Sequence, residues 1–211
     1  MKQGLTDITL VIDESYSMMN TWQEVITGIN KFLIDQSNVQ GEANITLIKF
    51  DDQFSVVYEA VDIKKAPKLT KEIYKPRGST ALLDAMCKSI DITGERLAAM
   101  PEHERPEKVI ILFQTDGEEN SSVLFKKEDI DKKIKHQKEV YNWEFIFLGA
   151  NQDAISTGIS LGLSVNASIT YNQTANGTLN AFACVSETLT NYRGSGNISF
   201  DDTARSKAMA E

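Results

Sequence analysis

Three short polar runs carry oxygen donors whose types suit a metal ion. Asp13-Glu14-Ser15-Tyr16-Ser17 follows an apolar run, Gly78-Ser79-Thr80 stands just before a helical pattern, and Thr115-Asp116-Gly117 follows the most apolar run in the chain. They offer hydroxyl and carboxylate oxygens with no His or Cys nearby. An oxygen-only set selects a hard cation, whereas zinc prefers nitrogen and sulfur. A few hydroxyls with one or two carboxylates suit Mg²⁺, which keeps part of its water shell; Ca²⁺ normally recruits more oxygens, and Mn²⁺ accepts the same donors. In an extended turn residues two apart point the same way, so Asp13, Ser15 and Ser17 can converge. Each residue alone also has a plainer use: Asp13 as a turn residue, Thr80 as a helix N-cap, Asp116-Gly117 as a turn pair. Asp84 is expected to serve a helix N-terminus rather than a metal, and Asp51-Asp52 to form a solvated hairpin turn.

Those runs need elements to hold them. Thr6–Ile12 reads as a buried strand, Thr21–Gln36 as a helix with one apolar face and a cap at Asn20 or Thr21, and Asn44–Phe50 with Phe54–Ala60 as an antiparallel hairpin. A helix from about Ala81 to Met100 ends at Pro101; the strand Lys108–Thr115, the charged helix Lys126–Val140 and the strand Trp143–Gly149 follow. Asp153–Gly162 reads as a short helix, Leu163–Ile169 as an edge strand and Thr174–Tyr192 as a last helix. Alternating strands and helices predict an α/β fold: a doubly wound, Rossmann-like, mostly parallel sheet with helices on both faces and one antiparallel edge strand. Ligands in such folds bind outside the carboxyl ends of the strands, where the winding direction reverses. Residues 1–192 are expected to form one domain; 193–211, with Gly194 and Gly196 and few apolar side chains, read as a tail of uncertain order, docked or free to bind another chain.

Composition excludes several classes. The 211 residues suit one α/β domain, and the net charge of −8 argues against a phosphate-backbone partner. The basic cluster Lys126 to Lys138 is interleaved with acids and reads as a solvated helix face. Cys87 and Cys184 lie in apolar patterns, as reduced buried thiols do. With no run approaching the ~20 apolar residues of a membrane span, no membrane role is expected, and a cytoplasmic location is. Oligomeric state is open.

The run VIDESYSM resembles the D-x-S-x-S signature of von Willebrand factor A domains, also called integrin I domains. GSTALLDA is similar to the family's second motif, whose threonine precedes a helix, and FQTDGEEN to its third, T-D-G. Their order and separation match, as does the alternation from Thr6 to Tyr192. The resemblance implies a metal-ion-dependent adhesion site, with Ser15, Ser17 and Thr80 as hydroxyl ligands, Asp13 and Asp116 coordinating directly or through water, and one position left for water or a partner's Glu or Asp carboxylate. It implies Mg²⁺, with Mn²⁺ or Ca²⁺ as alternatives. Glu14 and Tyr16 replace the small residues often found between the ligands; Tyr16 could crowd the site or add a contact, and Glu14 adds negative charge near the metal. Family members also switch by sliding the last helix, here Thr174–Tyr192. The function implied is a metal-dependent protein-binding module. A metal-dependent hydrolase and an assembly scaffold with a vestigial site, a use known among bacterial and phage members, are the alternatives. Hydrolysis lacks its usual apparatus: there is no G-x-x-x-x-G-K-[ST], H-E-x-x-H or G-x-S-x-G, and His103 and His136 lie in charged runs.

Overall fold

The computed structural model describes residues 1–150, 154–196 and 198–210. In chain order these form β1 (Lys2–Asp13), α1 (Trp22–Ser37), β2 (Glu42–Phe50), β3 (Phe54–Asp62), α2 (Leu82–Ala99), β4 (Pro106–Thr115), α3 (Lys127–Tyr141), β5 (Glu144–Ala150), α4 (Ala154–Ser160), β6 (Ser168–Tyr171), α5 (Ala175–Ser195) and α6 (Asp202–Ala208). The strands make one six-stranded sheet in the order β3-β2-β1-β4-β5-β6. Only the β2–β3 pair is antiparallel, because the Asp51-Asp52-Gln53 turn is too short for a crossover. The sheet is therefore doubly wound, as expected.

The winding reverses between β1 and β4: from β1 the chain builds outward to β2 and β3, then returns to add β4 on the other side. Folds of this kind place ligands at the carboxyl ends there, and the residues closing those strands are Asp13 and Thr115. Alternation along β1 feeds two cores. Ile8, Leu10 and Ile12 join the core shared with Ile29 and Phe32 of α1 and Phe182 and Val185 of α5, while Val11 joins the core with Leu83, Met86 and Ile90 of α2. Cys87 and Cys184 are free thiols, both buried.

Several expectations need correction. The edge strand is Ser168–Tyr171, not Leu163–Ile169, because Val165–Ala167 curl into a single tight turn capped by Ser164. The short helix is α4; its expected start, Asp153, lies outside the described residues. The last helix, expected to end at Tyr192, runs as α5 to Ser195 and ends on Gly196 in the left-handed conformation at φ 80°. The segment beyond α5 is docked. Phe200 and Ala208 are buried, the Phe200 N–H donates to the Asn166 carbonyl at 2.9 Å, and the Arg205 guanidinium donates to the carbonyls of Ser168 and Val165, each at 2.8 Å. Residues Asn197 and Glu211 lie outside the described set.

Candidate metal centre

Thr9, Val11 and Asp13 alternate toward the α2 face of β1, and the strand's last side chain is sealed completely, at 0% exposure. Asp13 Oδ1 accepts the Ser15 N–H at 2.7 Å and its Oδ2 accepts the Thr115 hydroxyl at 2.6 Å, so the ends of β1 and β4 are tied at the winding reversal. Ser17 Oγ donates to Asp116 Oδ1 at 2.6 Å and lies 2.9 Å from Ser15 Oγ. A hydroxyl has one hydrogen; Ser17 spends its own on Asp116, so Ser15 is the donor within the serine pair. Four of the five expected ligands thus form one hydrogen-bonded chain. The fifth, Thr80, arrives from the second loop. A Cβ placed on Gly117 would sit 3.3 Å from both Ser17 Oγ and Thr80 Oγ1, so the glycine leaves room for these hydroxyls to face a common point.

The loops brace one another. The Tyr16 N–H donates to the Gly78 carbonyl at 3.2 Å and the Arg77 N–H to the Glu14 carbonyl at 2.8 Å, joining the first loop to the second. Gly78 is left-handed at φ 65°, and an added Cβ would come within 2.6 Å of Asp52 Oδ1, so the second loop needs glycine there. Asn120 Oδ1 accepts the Thr80 N–H at 3.0 Å, and the Thr80 carbonyl accepts the N–H groups of Asn120 and Ser121 at 3.1 and 3.2 Å, joining the second loop to the third. Beneath, buried Tyr74 donates its hydroxyl to the Asp13 carbonyl at 2.5 Å, and Gln114 donates to the Tyr171 hydroxyl at 2.7 Å.

Local roles differ from the simple ones. Thr80 does not cap α2. The N-terminal N–H groups of that helix are taken instead by the third loop: Glu119 accepts from Leu83 at 2.9 Å and Ser122 Oγ from Asp84 at 3.0 Å. Asp84 does not serve its own helix end either; its carboxylate accepts the N–H groups of Val123, Leu124 and Phe125, folding the third loop against α2. Thr21 stands at the N-cap position of α1, but its side chain makes no capping bond. Asp51 is buried, not solvated: it accepts the Gln53 N–H at 2.6 Å and pairs with Arg77 Nε at 2.8 Å. Glu14 is turned into a buried pocket, where Lys49 lies at 2.9 Å and the Lys75 N–H at 2.7 Å, so its charge is neutralised within the protein. Tyr16 points outward, 67% exposed, and does not crowd the ligands.

The electrostatics favour a cation. Burial pushes the Asp13 carboxyl up to about 6, against opposing hydrogen bonds from Thr115 and Ser15, and the nearby Asp116 charge adds to the rise. Burial also raises Asp116. Neither acid has a basic side chain in ion-pair range among the described residues. Hydroxyls, two buried acids and a glycine that adds no side chain between them fit a hard divalent ion, with Ser15, Ser17, Thr80, Asp13 and Asp116 as the residues that would hold it. One participant escaped the sequence reading. Gln173, from the turn between β6 and α5, donates its side-chain amide to Asp116 Oδ2 and to the Ser17 carbonyl, the latter at 3.2 Å. Only its place after a strand at the carboxyl edge hinted at this.

A family model described as von Willebrand factor type A domain matches residues 7–187. Among solved structures, the chain is similar to the pilus adhesin SpaC of Lactobacillus rhamnosus GG in an open conformation, with a TM-score of 0.67, 15% identity, and coverage of 90% of this chain and 30% of that one. It is similar to the vWF domain of the type V pili tip protein Mfa5 of Porphyromonas gingivalis, at 0.65 and 11% identity, covering 92% of this chain and 98% of that one. It is also similar to proximal thread matrix protein 1 of the mussel byssus with a zinc-occupied MIDAS motif, at 0.60 and 17% identity; 88% of this chain is covered, and it spans only 46% of the matrix protein. These likenesses show the fold. No curated protein matches the sequence.

Proposed function

The chain belongs to the von Willebrand factor type A domain family, and from that premise we propose that it is a non-enzymatic protein-binding module that holds Mg²⁺ and captures a partner's Glu or Asp side chain on it. The observation that carries this reading is the convergence of three loops on two buried carboxylates that no basic side chain of the described chain neutralises. When bound, the ion supplies a positive centre able to take one more oxygen ligand. This chain's residues do the rest. Ser15, Ser17 and Thr80 offer neutral oxygens, which leave the ion much of its charge for an external carboxylate. Asp13 and Asp116 supply the negative charge that retains it. Two other acids near the loops are already paired, Glu14 with Lys49 and Asp51 with Arg77.

The surrounding surface supports a protein partner. The first loop exposes Tyr16 and Met19, and the third exposes Val123 at 86% and Leu124 at 61%. Exposed apolar and aromatic side chains on the ligand-bearing loops are suited to anchor a partner around a central polar contact. Other members of the family are adhesins and matrix proteins by name, and their use in binding supports the same reading here.

Two measurements test it. Isothermal titration calorimetry with MgCl₂ is expected to give one site per chain in the wild type and none in Asp116→Ala. The immobilised protein is then offered a peptide library in Mg²⁺ and again in chelator. Retention of peptides bearing Asp or Glu, lost with chelator and lost when those residues become Asn or Gln, is the expected result. Equal retention of neutral and acidic peptides, or indifference to Mg²⁺, would sink the reading.

A further inference from the structure

The three motif loops do not account for Gln173. It stands two residues beyond Tyr171, the last residue of β6, in the turn that Thr174 closes by capping α5 through the Gly177 N–H at 3.0 Å. Its amide reaches acceptors on two different motif loops, the Asp116 carboxylate and the Ser17 carbonyl. Asp116 therefore has Ser17 on one oxygen and Gln173 on the other. A primary amide can offer N–H to a carboxylate or its own oxygen to a cation, so Gln173 is suited to the same spot with or without a metal. Being neutral, it satisfies the hydrogen bonding of Asp116 without supplying the missing charge.

The turn that carries Gln173 is held from behind. The Asn172 N–H donates to the Ala208 carbonyl at 3.3 Å, and the Asn172 side-chain amide donates to the Met209 carbonyl. Asn180 donates to the Lys207 carbonyl at 3.1 Å. The residue just before Gln173 is thus fastened to the end of α6, and α6 is fastened to the sheet edge by Arg205. The partners on and just after α6 lie beyond residue 187, where the family match ends.

We propose that Gln173 is a built-in cap on the metal centre: its amide holds the position that a partner's carboxylate takes, and α6 holds the turn that bears it. The proposal rests on the metal reading above. Capture then requires displacement of Gln173, and a partner that loosens α6 favours capture by the same factor by which capture loosens α6.

The test uses the full chain, Mn²⁺ as the metal probe and acetate as the carboxylate probe. Mn²⁺ affinity is read by electron paramagnetic resonance, and acetate binding by the loss of water-proton relaxation enhancement as acetate displaces water from the bound ion. Relative to wild type, Gln173→Ala is expected to lower the half-saturating acetate concentration about tenfold, the scale of one hydrogen bond to a charged acceptor. Asn172→Ala is expected to act in the same direction with a smaller effect. Gln173→Glu, which places a carboxylate in the cap, is expected to tighten Mn²⁺ and abolish the acetate response. Unchanged acetate binding in Gln173→Ala at unchanged Mn²⁺ affinity overturns the cap and leaves the metal reading standing. Absence of Mn²⁺ binding in every protein, wild type included, overturns both.

Discussion

β1 carries two buried carboxylates, Asp7 at its middle and Asp13 at its carboxyl end, exposed by 1% and 0%. Their positions are both odd, so they share the face of the strand that looks toward α2. Asp7 receives a two-pronged guanidinium from Arg96, with N–O distances of 3.0 and 2.7 Å, and Arg96 also lies 3.6 Å from Glu59. Among the described residues Asp13 receives only neutral donors, the Ser15 N–H and the Thr115 hydroxyl, and has the second acid Asp116 close enough to raise its pKa. Among the described residues the chain brings its own cation to the middle of the strand and leaves the carboxyl end short of one. A buried charge is tolerated only with compensation; where the fold supplies none, an ion from solution is the natural counterpart. An acid compensated within the fold thus differs from an uncompensated one by the cation beside it.

The largest effect is expected at the compensated acid. Arg96→Met strands Asp7 and should lower the unfolding free energy by about 3–5 kcal/mol in urea titration. A loss under about 1 kcal/mol would mean that Asp7 does not depend on Arg96, and the contrast between the two acids would fail. The next effect belongs to the site at Asp13: Mg²⁺ at a hundred times its dissociation constant should add about 2.7 kcal/mol of stability. Asp116→Ala should erase that gain, and Arg96→Met should retain it, since the two positions are independent. Glu119→Ala, which uncaps α2 beside the site, should cost about 1 kcal/mol in chelator. The smallest change in chelator is expected from Thr80→Ala, under about 1 kcal/mol, while Mg²⁺ affinity measured by calorimetry falls clearly. A large loss of stability there would turn Thr80 into a structural residue.

Much of this was legible in the sequence because it is local. Apolar runs such as Lys108–Thr115 announced the central strands, and the brevity of Asp51-Asp52-Gln53 announced the antiparallel edge. The three polar runs each follow a strand or precede a helix, so the topology alone brings Asp13, Ser15, Ser17, Thr80 and Asp116 to one crevice. What stayed hidden depends on contacts between distant residues. Thr80 looked like a cap because it precedes a helix, but Glu119 and Ser122 reach back across the third loop to do that work. Asp51 and Glu14 looked solvated or metal-facing because their partners, Arg77 and Lys49, lie 26 and 35 residues away. Gln173 reaches Asp116 across 57 residues, and no local pattern marks it. The order of the tail was left open by its glycines and few apolar side chains; burial of Phe200 and the hydrogen bonds of Arg205 dock it.

Crystals grown in manganese and measured near the manganese absorption edge test the central claim most directly. One anomalous peak is expected, bounded by the hydroxyls of Ser15, Ser17 and Thr80 and by the carboxylates of Asp13 and Asp116. A map with no peak in that crevice, or with manganese bound only elsewhere on the surface, would contradict it.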